Sequence, residues 1–392
     1  MNIILLSRKY SRGEAWSNRL LAFAHAFQSL GCNIKLIFLV SNEQSITNSS
    51  DFIGLDVRFV SSFSDNAPRI KKLYTYFKAL ACATKLFKPE DVVITSDGGG
   101  TFLTYLRFFT KVKHIYTEIT EHPGNFYPRN YNCAIKKYIA FVGVQLRQKL
   151  LIQNISRIDG LFVISQSLRR YFIKNRIAER KITLVNMFVD ASRFNVKKSP
   201  VTKPYIAYCG TVTFDKDGVD ILIKSFAMFH ESHPEYELKI IGPIYEKRVQ
   251  EEIPLLLKQF NIEHCVELTG KVSPTDMPLL LINASILALA RPDNMQNRNG
   301  FPTKLGEYLA TGNPVVVTSI GEIPQFIHDG ENGYLANPSD VQSFYEKLCE
   351  AADKPEMAIQ IGLQGKKLVI KEFSSIEQTR LVLEYINRNN EY

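Results

Sequence analysis

A lysine and a glutamate stand three residues apart in a short helix that the sequence predicts between Pro302 and Gly312. Proline fits the first helical position and glycine fits the stop. Lys304 and Glu307 fall on one face, away from an apolar stripe at helical spacing. The free N–H groups of Thr303 and Lys304 at the helix start would bind an anion, and the lysine adds a full charge. An ordinary Lys–Glu surface pair, worth about 0.2–0.5 kcal/mol, is the alternative.

A histidine and two glutamates follow a predicted strand in the first half. The stretch EITEHPGNF places Glu118, Glu121 and His122 at the carboxyl end of that strand. Ligands of open α/β sheets bind at this edge, so an acid, a base or a group that orients hydroxyls belongs there. A catalytic role and a structural role for His122 both fit the sequence.

The elements that position these groups alternate between strands and helices along the chain. Buried runs such as NIILLS, DVVITS and YIAYCG are typical of parallel strands, and a helical segment follows each one. The pattern restarts after the segment 196–204, which contains two prolines and reads as a linker. It predicts an α/β protein with two tandem Rossmann-like domains facing a cleft. The predicted domains are residues 1–198 and residues 199–371, followed by a helix at 372–392 that packs back towards the first domain.

Composition limits the classes of protein that fit. Of 392 residues, 45% are hydrophobic and 22% are charged, which is ordinary for a globular protein. No apolar run reaches the roughly 18 residues that a membrane-spanning helix needs. The six cysteines are scattered singly, which favours a reducing, cytoplasmic location over a disulfide framework or a zinc site.

Charge is divided unevenly between the two halves of the chain. Residues 1–200 contain 30 Lys and Arg against 13 Asp and Glu, whereas residues 201–392 contain 18 against 26. A basic half favours an anionic partner such as a membrane surface, and the helices QLRQKLLIQNISR and QSLRRYFIKNR mix basic with apolar residues accordingly. Solvated basic faces are the alternative. No nucleic-acid-binding motif accompanies the charge, so a nucleic-acid partner is not expected.

The second half resembles the retaining glycosyltransferases of the GT-B architecture, family 4. YCGTVTFDKDGVDILIKSF stands where that family has a glycine loop and a helix, and GFPTKLGEYLATGNPVVVTSIGEIPQFIHDGENGYLANPSD follows the family pattern almost unbroken. The first half is similar more loosely, mainly in its opening βα unit and in ISQSLRRYF and LVNMFVDASRF. The resemblance implies an enzyme of bacterial surface-polysaccharide synthesis that transfers a hexose-type sugar.

For the site, the resemblance implies a nucleotide-sugar donor of the UDP or GDP type. The diphosphate would lie at the helix N-terminus with Thr303 and Lys304, and Glu307 would accept hydrogen bonds from two ribose hydroxyls. Gly300 and Phe301, just before the helix, belong to the same donor site. The acceptor would be a saccharide or a lipid-linked saccharide, met in the cytoplasm or at the inner face of the plasma membrane. No cofactor and no metal are expected.

A glycine loop follows the first strand of each half. Gly13 lies in a loop that matches a family loop near the donor phosphate and the acceptor. Gly210 lies at the end of the first strand of the second half. Glycine lets the backbone approach a phosphate closely. His122 corresponds to a family histidine near the donor sugar.

The second glycine loop departs from the family pattern at two positions. Thr211 and Asp217 stand where the family has an arginine and a lysine that reach the diphosphate. Lys216, one residue early, and Arg291, just after a later strand, could restore the positive charge. For Arg291, an ion pair with Asp293 is the alternative.

A third departure is Asn299, which stands where the family has a second glutamate, eight residues before Glu307. An amide can bond a sugar hydroxyl but cannot supply charge, so a protein nucleophile there is disfavoured and retention comes from the resemblance alone. The leading hypothesis is a retaining hexosyltransferase that uses His122, Asn299 and Glu307. A catalytically weakened GT-B scaffold that binds nucleotides and a nucleotide-sugar epimerase are the alternatives. The epimerase would need a cluster of acids and bases, for which only His122 and its two neighbouring glutamates qualify.

Overall fold

The computed structural model describes residues 1–10, 15–41, 52–62, 68–96, 100–124 and 133–390. The chain divides into two compact units. Unit 1 contains Met1–Asn186 together with Ser375–Tyr392, and unit 2 contains Met187–Ser374. Each unit is built on its own parallel sheet, which confirms the predicted α/β class with two tandem Rossmann-like domains.

Unit 1 is built on a seven-stranded sheet. Its strands are β1 (Asn2–Lys9), β2 (Asn33–Ser41), β3 (Asp56–Ser62), β4 (Val92–Thr95), β5 (His114–Ile119), β6 (Gly160–Val163) and β7 (Ile182–Leu184). They lie in the order β3-β2-β1-β4-β5-β6-β7, and every neighbouring pair is parallel. All residues of β4 and β6 are buried, as expected for a parallel sheet covered on both faces.

Helices cover the two faces of this sheet in an ordered way. They are α1 (Ala15–Ser29), α2 (Arg69–Ala83), α3 (Gly100–Phe109), α4 (Ala134–Ile155) and α5 (Gln166–Lys174). The connections through α2, α3, α4 and α5 all run in the same direction across the sheet, so right-handed crossovers place these four helices on one face. α1 connects β1 to β2 in the opposite direction and therefore lies on the other face.

Unit 2 is built on a six-stranded parallel sheet. Its strands are β8 (Tyr205–Cys209), β9 (Glu237–Ile241), β10 (Val266–Gly270), β11 (Ile286–Leu289), β12 (Val315–Thr318) and β13 (Tyr334–Ala336), in the order β10-β9-β8-β11-β12-β13. Its helices are α6 (Val219–Ser232), α7 (Lys247–Gln259), α8 (Met277–Ile282), α9 (Met295–Asn299), α10 (Thr303–Thr311), α11 (Ile323–Phe326), α12 (Val341–Asp353) and α13 (Pro355–Glu372).

The last helix, α14 (Ser375–Asn390), is part of unit 1. Its Gln378 side chain accepts a hydrogen bond from the Asn186 N–H at 2.8 Å, and the Tyr385 hydroxyl donates to the Arg180 carbonyl at 3.0 Å. The chain therefore passes between the units at Asn186–Met187 and again at Ser374–Ser375. The sequence placed these passages at 198 and 371.

The predicted linker at 196–204 lies inside unit 2. The Ser199 N–H donates to the Asn283 side chain at 2.8 Å, and Lys198 Nζ donates to the Asn313 side chain at 3.0 Å. Prolines and charges are typical of both free linkers and surface-bound segments, so composition alone did not distinguish them. None of the described helices is long and apolar enough to cross a membrane.

Candidate functional site

Polar residues of unit 2 gather at the switch point of its sheet. After the two central strands the chain turns away in opposite directions, from β8 to β9 and from β11 to β12. Open α/β sheets bind ligands in the crevice beside such a point. The loop after β8 meets the loop after β11 here so closely that a Cβ on Gly218 would lie 1.9 Å from the Ala290 carbonyl oxygen.

The helix α10 is fixed beside this point by its apolar face. Leu305, Tyr308 and Leu309 are fully buried. The Cys209 N–H, at the end of β8, donates a hydrogen bond to the Tyr308 hydroxyl at 2.6 Å, and this hydroxyl lies 3.2 Å from the Cys209 carbonyl. The apolar stripe that the sequence predicted thus anchors the helix start next to the first glycine loop.

The ends of α10 follow the sequence closely. Gly312 ends the helix with φ +80°, a left-handed conformation that glycine adopts without strain. The sequence placed Pro302 at the first helical position. In the structure Pro302 is the N-cap, one position earlier. Thr303 and Lys304 are then the first two helical residues, and their N–H groups belong to the helix end that carries partial positive charge.

Lys304 reaches from α10 into the first glycine loop. Its ammonium group donates to the Asp217 carboxylate at 2.5 Å and lies 5.5 Å from the centre of the Tyr208 ring. Gly210 makes this possible, because a Cβ built there would lie 1.9 Å from Lys304 Cε. The glycine that the sequence assigned to a close approach of phosphate thus also admits a lysine side chain.

Asp217 lies between two cations in the interior of the site. Its side chain is 1% exposed, and the second cation is Arg291, whose Nη2 lies 3.4 Å from Asp217 Oδ1. Burial opposes the charged form of Asp217, but Lys304 and then Arg291 outweigh it and lower the pKa to about 2. Two cations face one carboxylate, so the cluster carries net positive charge beside the N-terminus of α10.

Three buried polar atoms at this cluster have no hydrogen-bond partner among the residues that the structure describes. They are Asp217 Oδ1, Arg291 Nε and Asn297 Oδ1. Buried polar groups are nearly always bonded, and an exception is typical of a site that a ligand or water completes. The arrangement can therefore receive a group with both hydrogen-bond acceptors and donors.

Two interpretations of the loop need correction. The sequence indicated only that Asp217 replaces a positively charged residue. The structure shows that Asp217 also holds Lys304 and Arg291 in place through buried contacts. Arg291 does not pair with Asp293, which instead receives two hydrogen bonds from Arg298 at 2.5 and 2.6 Å. Arg298 follows Asp293 by one helical turn, and this local pairing leaves Arg291 to the interior.

Glu307 is held by an arginine that the sequence did not assign. Arg193, in the short 3-10 helix Ala191–Phe194, donates through Nη1 to Glu307 Oε1 at 3.0 Å. Burial raises the pKa of Glu307, although Arg193 and Lys304 oppose the shift. The stretch LVNMFVDASRF contains this arginine, and its similarity to the family was the available signal.

The remaining predicted donor-site residues lie around α9. Lys216 is half-buried, and its carbonyl accepts from the Asn297 side chain at 3.0 Å. Asn299 donates its amide to the Met295 carbonyl at 2.7 Å within α9, and Gly300 is the C-cap of that helix. The Phe301 side chain is buried in an aromatic cluster with the rings of Phe326 and Phe373, so only its backbone is left for a ligand.

In unit 1 the predicted site residues at the carboxyl end of β5 lie in two different environments. Glu118 is buried and accepts two hydrogen bonds from Arg19 at 2.5 and 2.9 Å. The sequence predicted an accessible group at the sheet edge, and this prediction is wrong because Glu118 forms a buried ion pair. His122 is half-buried with its ring edge against Tyr171, and burial lowers its pKa. Gly13 lies outside the described residues.

His122 has a defined tautomer when it is neutral. Its Nδ1 accepts a hydrogen bond from the Gly124 N–H at 3.1 Å, which places the ring proton on Nε2. The neutral ring can therefore donate from Nε2 to a hydroxyl or carbonyl oxygen.

One group of potential metal ligands comes together in the part of the chain that the structure describes. The ligand atoms of His230, His264 and Cys265 lie within 4.8 Å of one another. His264 and Cys265 precede β10, at the amino ends of the strands, whereas the cluster around Asp217 follows β8 at the carboxyl ends. The sequence did not predict this grouping, because His230 lies in α6, far along the chain from the adjacent pair His264 and Cys265.

Comparison with known proteins finds a family model that matches the part of the chain containing most of this site. Residues 203–354 match the model of the family described as Glycosyl transferases group 1. This segment contains Gly210, Asp217, Arg291, Lys304 and Glu307 and leaves out Arg193.

Curated relatives are similar at low identity. An uncharacterized glycosyltransferase of Methanocaldococcus jannaschii is 25% identical over 252 residues, which are 59% of this chain and 68% of that protein. The putative colanic acid biosynthesis glycosyltransferase WcaL of Escherichia coli is 27% identical over 173 residues, 43% of this chain and 41% of that protein. The amylovoran biosynthesis glycosyltransferase AmsK of Erwinia amylovora is 23% identical over 245 residues, 61% and 58% of the two chains.

Solved structures match along nearly the whole chain. Anabaena HepE, in complex with UDP, superposes with a TM-score of 0.74 at 14% identity and covers 99% of this chain and 100% of its own. TarM of S. aureus gives a TM-score of 0.73, also at 14% identity and with the same coverage. The fold is thus the GT-B architecture of these glycosyltransferases. The family match and the relatives in surface-polysaccharide synthesis support a GT-B glycosyltransferase.

Proposed function

We propose that the protein is a retaining glycosyltransferase that moves a hexose-type sugar from a nucleoside-diphosphate donor to a saccharide or lipid-linked saccharide. The observation that carries this proposal is the net positive cluster of Lys304, Arg291 and Asp217 at the N-terminus of α10. A leaving diphosphate gains negative charge as the sugar departs, and fixed cations and helix N–H groups stabilise that charge without reorganisation.

Asp217 keeps the two cations fixed before the donor arrives. Lys304 and Arg291 would otherwise repel each other and lose side-chain entropy on binding. With Asp217 between them, the diphosphate meets a prearranged donor set. A phosphate oxygen would accept from Arg291 Nε, which has no hydrogen-bond partner within the described part of the chain.

Glu307 would bind the ribose of the donor. Arg193 contacts Oε1, so Oε2 is the oxygen that a ribose hydroxyl would reach. Arg193 favours the charged form of the buried carboxylate, since it opposes the rise in pKa that burial causes. A charged carboxylate accepts stronger hydrogen bonds than a neutral one.

The reaction we propose needs no protein nucleophile. The acceptor hydroxyl attacks the anomeric carbon on the face from which the diphosphate leaves. As the bond from that carbon to the phosphate oxygen breaks, the hydroxyl proton passes to the departing oxygen. Asn299 supplies an amide at the position where a carboxylate would be needed for a covalent intermediate, which agrees with this route. His122 would orient a sugar hydroxyl through its Nε2 proton, and no metal takes part.

Thermal unfolding of the full chain with nucleotides tests the donor site. UDP is the first candidate because HepE was solved with UDP and UDP-glucose, and GDP and ADP with their hexose conjugates complete the panel. A ligand at 100 times its dissociation constant stabilises the binding unit by about 2.7 kcal/mol, which is readily measured. We expect one diphosphate family to stabilise the protein in the presence of EDTA.

Turnover distinguishes an enzyme from a scaffold that only binds. Release of the nucleoside diphosphate from the stabilising donor should be detectable, and the anomeric configuration of the product, read by NMR, tests retention. Stabilisation without any release would favour the weakened scaffold. An inverted product would overturn the retaining mechanism but leave the donor site intact.

A further inference from the structure

One helical layer of unit 1 contains no acidic residue. The helices α2, α3, α4 and α5 lie on the same face of the sheet, and none of their sequences includes Asp or Glu. α2 carries four basic residues, α3 one, α4 four and α5 three. We call this layer the basic face. Outside these helices, Glu179 pairs with Arg169 of α5 at 2.6 Å.

α4 exposes an apolar stripe on the side opposite its packed side. Val144, Leu151 and Ile155 are buried and face the unit. Large apolar side chains at helical spacing on the other side are between 47% and 71% exposed; they are Ile135, Tyr138, Ile139, Leu146 and Leu150. A helix that is apolar on two opposite sides needs a second partner for its outer side.

The end of α3 extends this stripe. α3 packs against α4, and its last two residues, Phe108 and Phe109, are both exposed. Arg157, just after α4, places its guanidinium 5.8 Å from the centre of the Phe108 ring. Aromatic and aliphatic side chains thus lie among basic ones along the outer surface of both helices.

The charges decide between the possible occupants of this surface. A second copy of the chain would bring two basic helices together with no carboxylate on either one, which is unfavourable. An acidic protein would satisfy the lysines, but it would have to offer an apolar groove as well. An anionic lipid surface satisfies both features at once, because the apolar side chains enter the acyl boundary while lysine and arginine extend to the phosphates.

We propose that the stripe of α4, with the end of α3, docks the protein on an anionic lipid bilayer. The helix lies in the plane of the interface, with Ile135, Tyr138 and Ile139 inserted. Lys136 and Lys149 are exposed and border the stripe on α4. This inference does not depend on the donor site, because every residue that carries it belongs to unit 1.

Co-sedimentation of the full chain with vesicles tests the proposal. The probes are vesicles of phosphatidylcholine alone and of phosphatidylcholine mixed with phosphatidylglycerol. We expect binding to the anionic vesicles at low salt, weaker binding as salt rises, and little binding to the neutral vesicles. Absence of binding to anionic vesicles at low salt would overturn the proposal.

Two variants localise the contact. Ile139→Asp places a charge in the stripe, and its matched control is Leu255→Asp on α7 of unit 2, since the two native side chains are 64% and 66% exposed. The double variant Lys136→Glu and Lys149→Glu should lower the partition coefficient by about fivefold or more per residue. Its control is Lys247→Glu, an exposed lysine on α7.

Two further results separate the possible failures. Ile139→Asp should keep the wild-type thermal shift with the nucleotide, which shows that the fold and donor site are unaffected. Binding to vesicles that is equal for Ile139→Asp and wild type would overturn the assignment to α4. Light scattering that finds a wild-type dimer, and a monomer for Ile139→Asp, would assign the stripe to a second copy instead.

Discussion

Each unit contains a buried carboxylate near the carboxyl end of a central strand, held by one cation in unit 1 and by two in unit 2. In unit 1, Glu118 receives both of its hydrogen bonds from Arg19, which also donates to the carbonyls of Val185 and Asn186. In unit 2, Asp217 is shared by Lys304 and Arg291 and retains an oxygen without a hydrogen bond.

The difference lies in charge balance and in the presence of fully buried atoms that have no hydrogen-bond partner among the described residues. The Arg19–Glu118 pair has one charge of each sign, and neither residue has a buried side-chain atom without a partner. The Asp217 cluster has an excess positive charge and unbonded polar atoms. A charge-balanced pair connects elements of the fold, whereas an unbalanced cluster can accept an anion. The predictions below test this distinction, beginning with the largest expected effect.

Removing one partner of the closed pair should cost the most stability. Arg19→Met leaves Glu118 buried with its main partner gone, and such a loss typically costs about 3–5 kcal/mol in the free energy of unfolding. Denaturant unfolding followed by fluorescence measures it selectively, because the protein has one tryptophan, Trp16, and it lies in α1 of unit 1.

A double variant is the control for this experiment. Arg19→Met with Glu118→Leu should recover most of the stability, since it removes the unpaired charge as well. The nucleotide-induced thermal shift should be the same in all three proteins. A single variant as stable as wild type would show that the pair is not a structural connection.

Removing a cation from the open cluster should cost affinity. Lys304→Met loses a charge-assisted hydrogen bond to the diphosphate, worth about 1.5–3 kcal/mol, or roughly 10- to 100-fold in the dissociation constant. Titration calorimetry with the stabilising nucleotide measures the change. Lys347→Met is the matched control, because Lys347 of α12 is also half-buried and paired with an aspartate at 2.6 Å. Equal affinity for Lys304→Met and wild type would remove Lys304 from the site.

The third prediction concerns pH and Asp217. The pKa of Asp217 is about 2 in the folded protein, whereas its ordinary value is 3.8. At pH values above 3.8 the ionised carboxylate therefore stabilises the fold by about 2 kcal/mol. This contribution is lost as the pH falls through about 2. Asp217→Asn should therefore be less stable than wild type at neutral pH, and the difference in melting temperature should vanish in strong acid. A difference that persists there would show that packing, not charge, is what the substitution changes.

The smallest effect is expected at Glu307. Glu307→Gln keeps the shape but loses a charged acceptor, which should weaken nucleotide binding by about 1 kcal/mol, or roughly fivefold. The loss should be absent for pyrophosphate, which has no ribose. Because burial raises the pKa of Glu307, binding of the nucleotide to wild type should weaken with falling pH before an ordinary glutamate would titrate. Identical losses for nucleotide and pyrophosphate would contradict the ribose assignment.

Local features of the fold could be predicted from the sequence. Helix α10 follows from Pro302, Gly312 and the apolar stripe, because these signals act within a few residues. The two parallel sheets follow from the repeated strand–helix pattern. The change of unit at Asn186–Met187 could not be read, because the proline-rich segment that resembles a linker binds the surface of unit 2.

Partners that are distant along the chain could not be predicted. Glu307 meets Arg193 across 114 positions, and Glu118 meets Arg19 across 99. Both carboxylates looked alike in the sequence, as acids near the end of a strand or the start of a helix. Their different roles depend on which cation the tertiary fold brings to each. The role of Asp217 was missed for the same reason, since it depends on the contacts of Asp217 with Lys304 and Arg291.

The return of α14 to unit 1 has a consequence for synthesis on the ribosome. Unit 2 is one uninterrupted stretch, Met187–Ser374, and has all its elements before the last helix is made. Unit 1 begins before unit 2 in the chain but lacks α14 until the whole of unit 2 has been translated. The Tyr116 and Phe162 rings therefore cannot pack against Tyr385 before α14 has been translated. Unit 1 therefore begins before unit 2 and is completed after it.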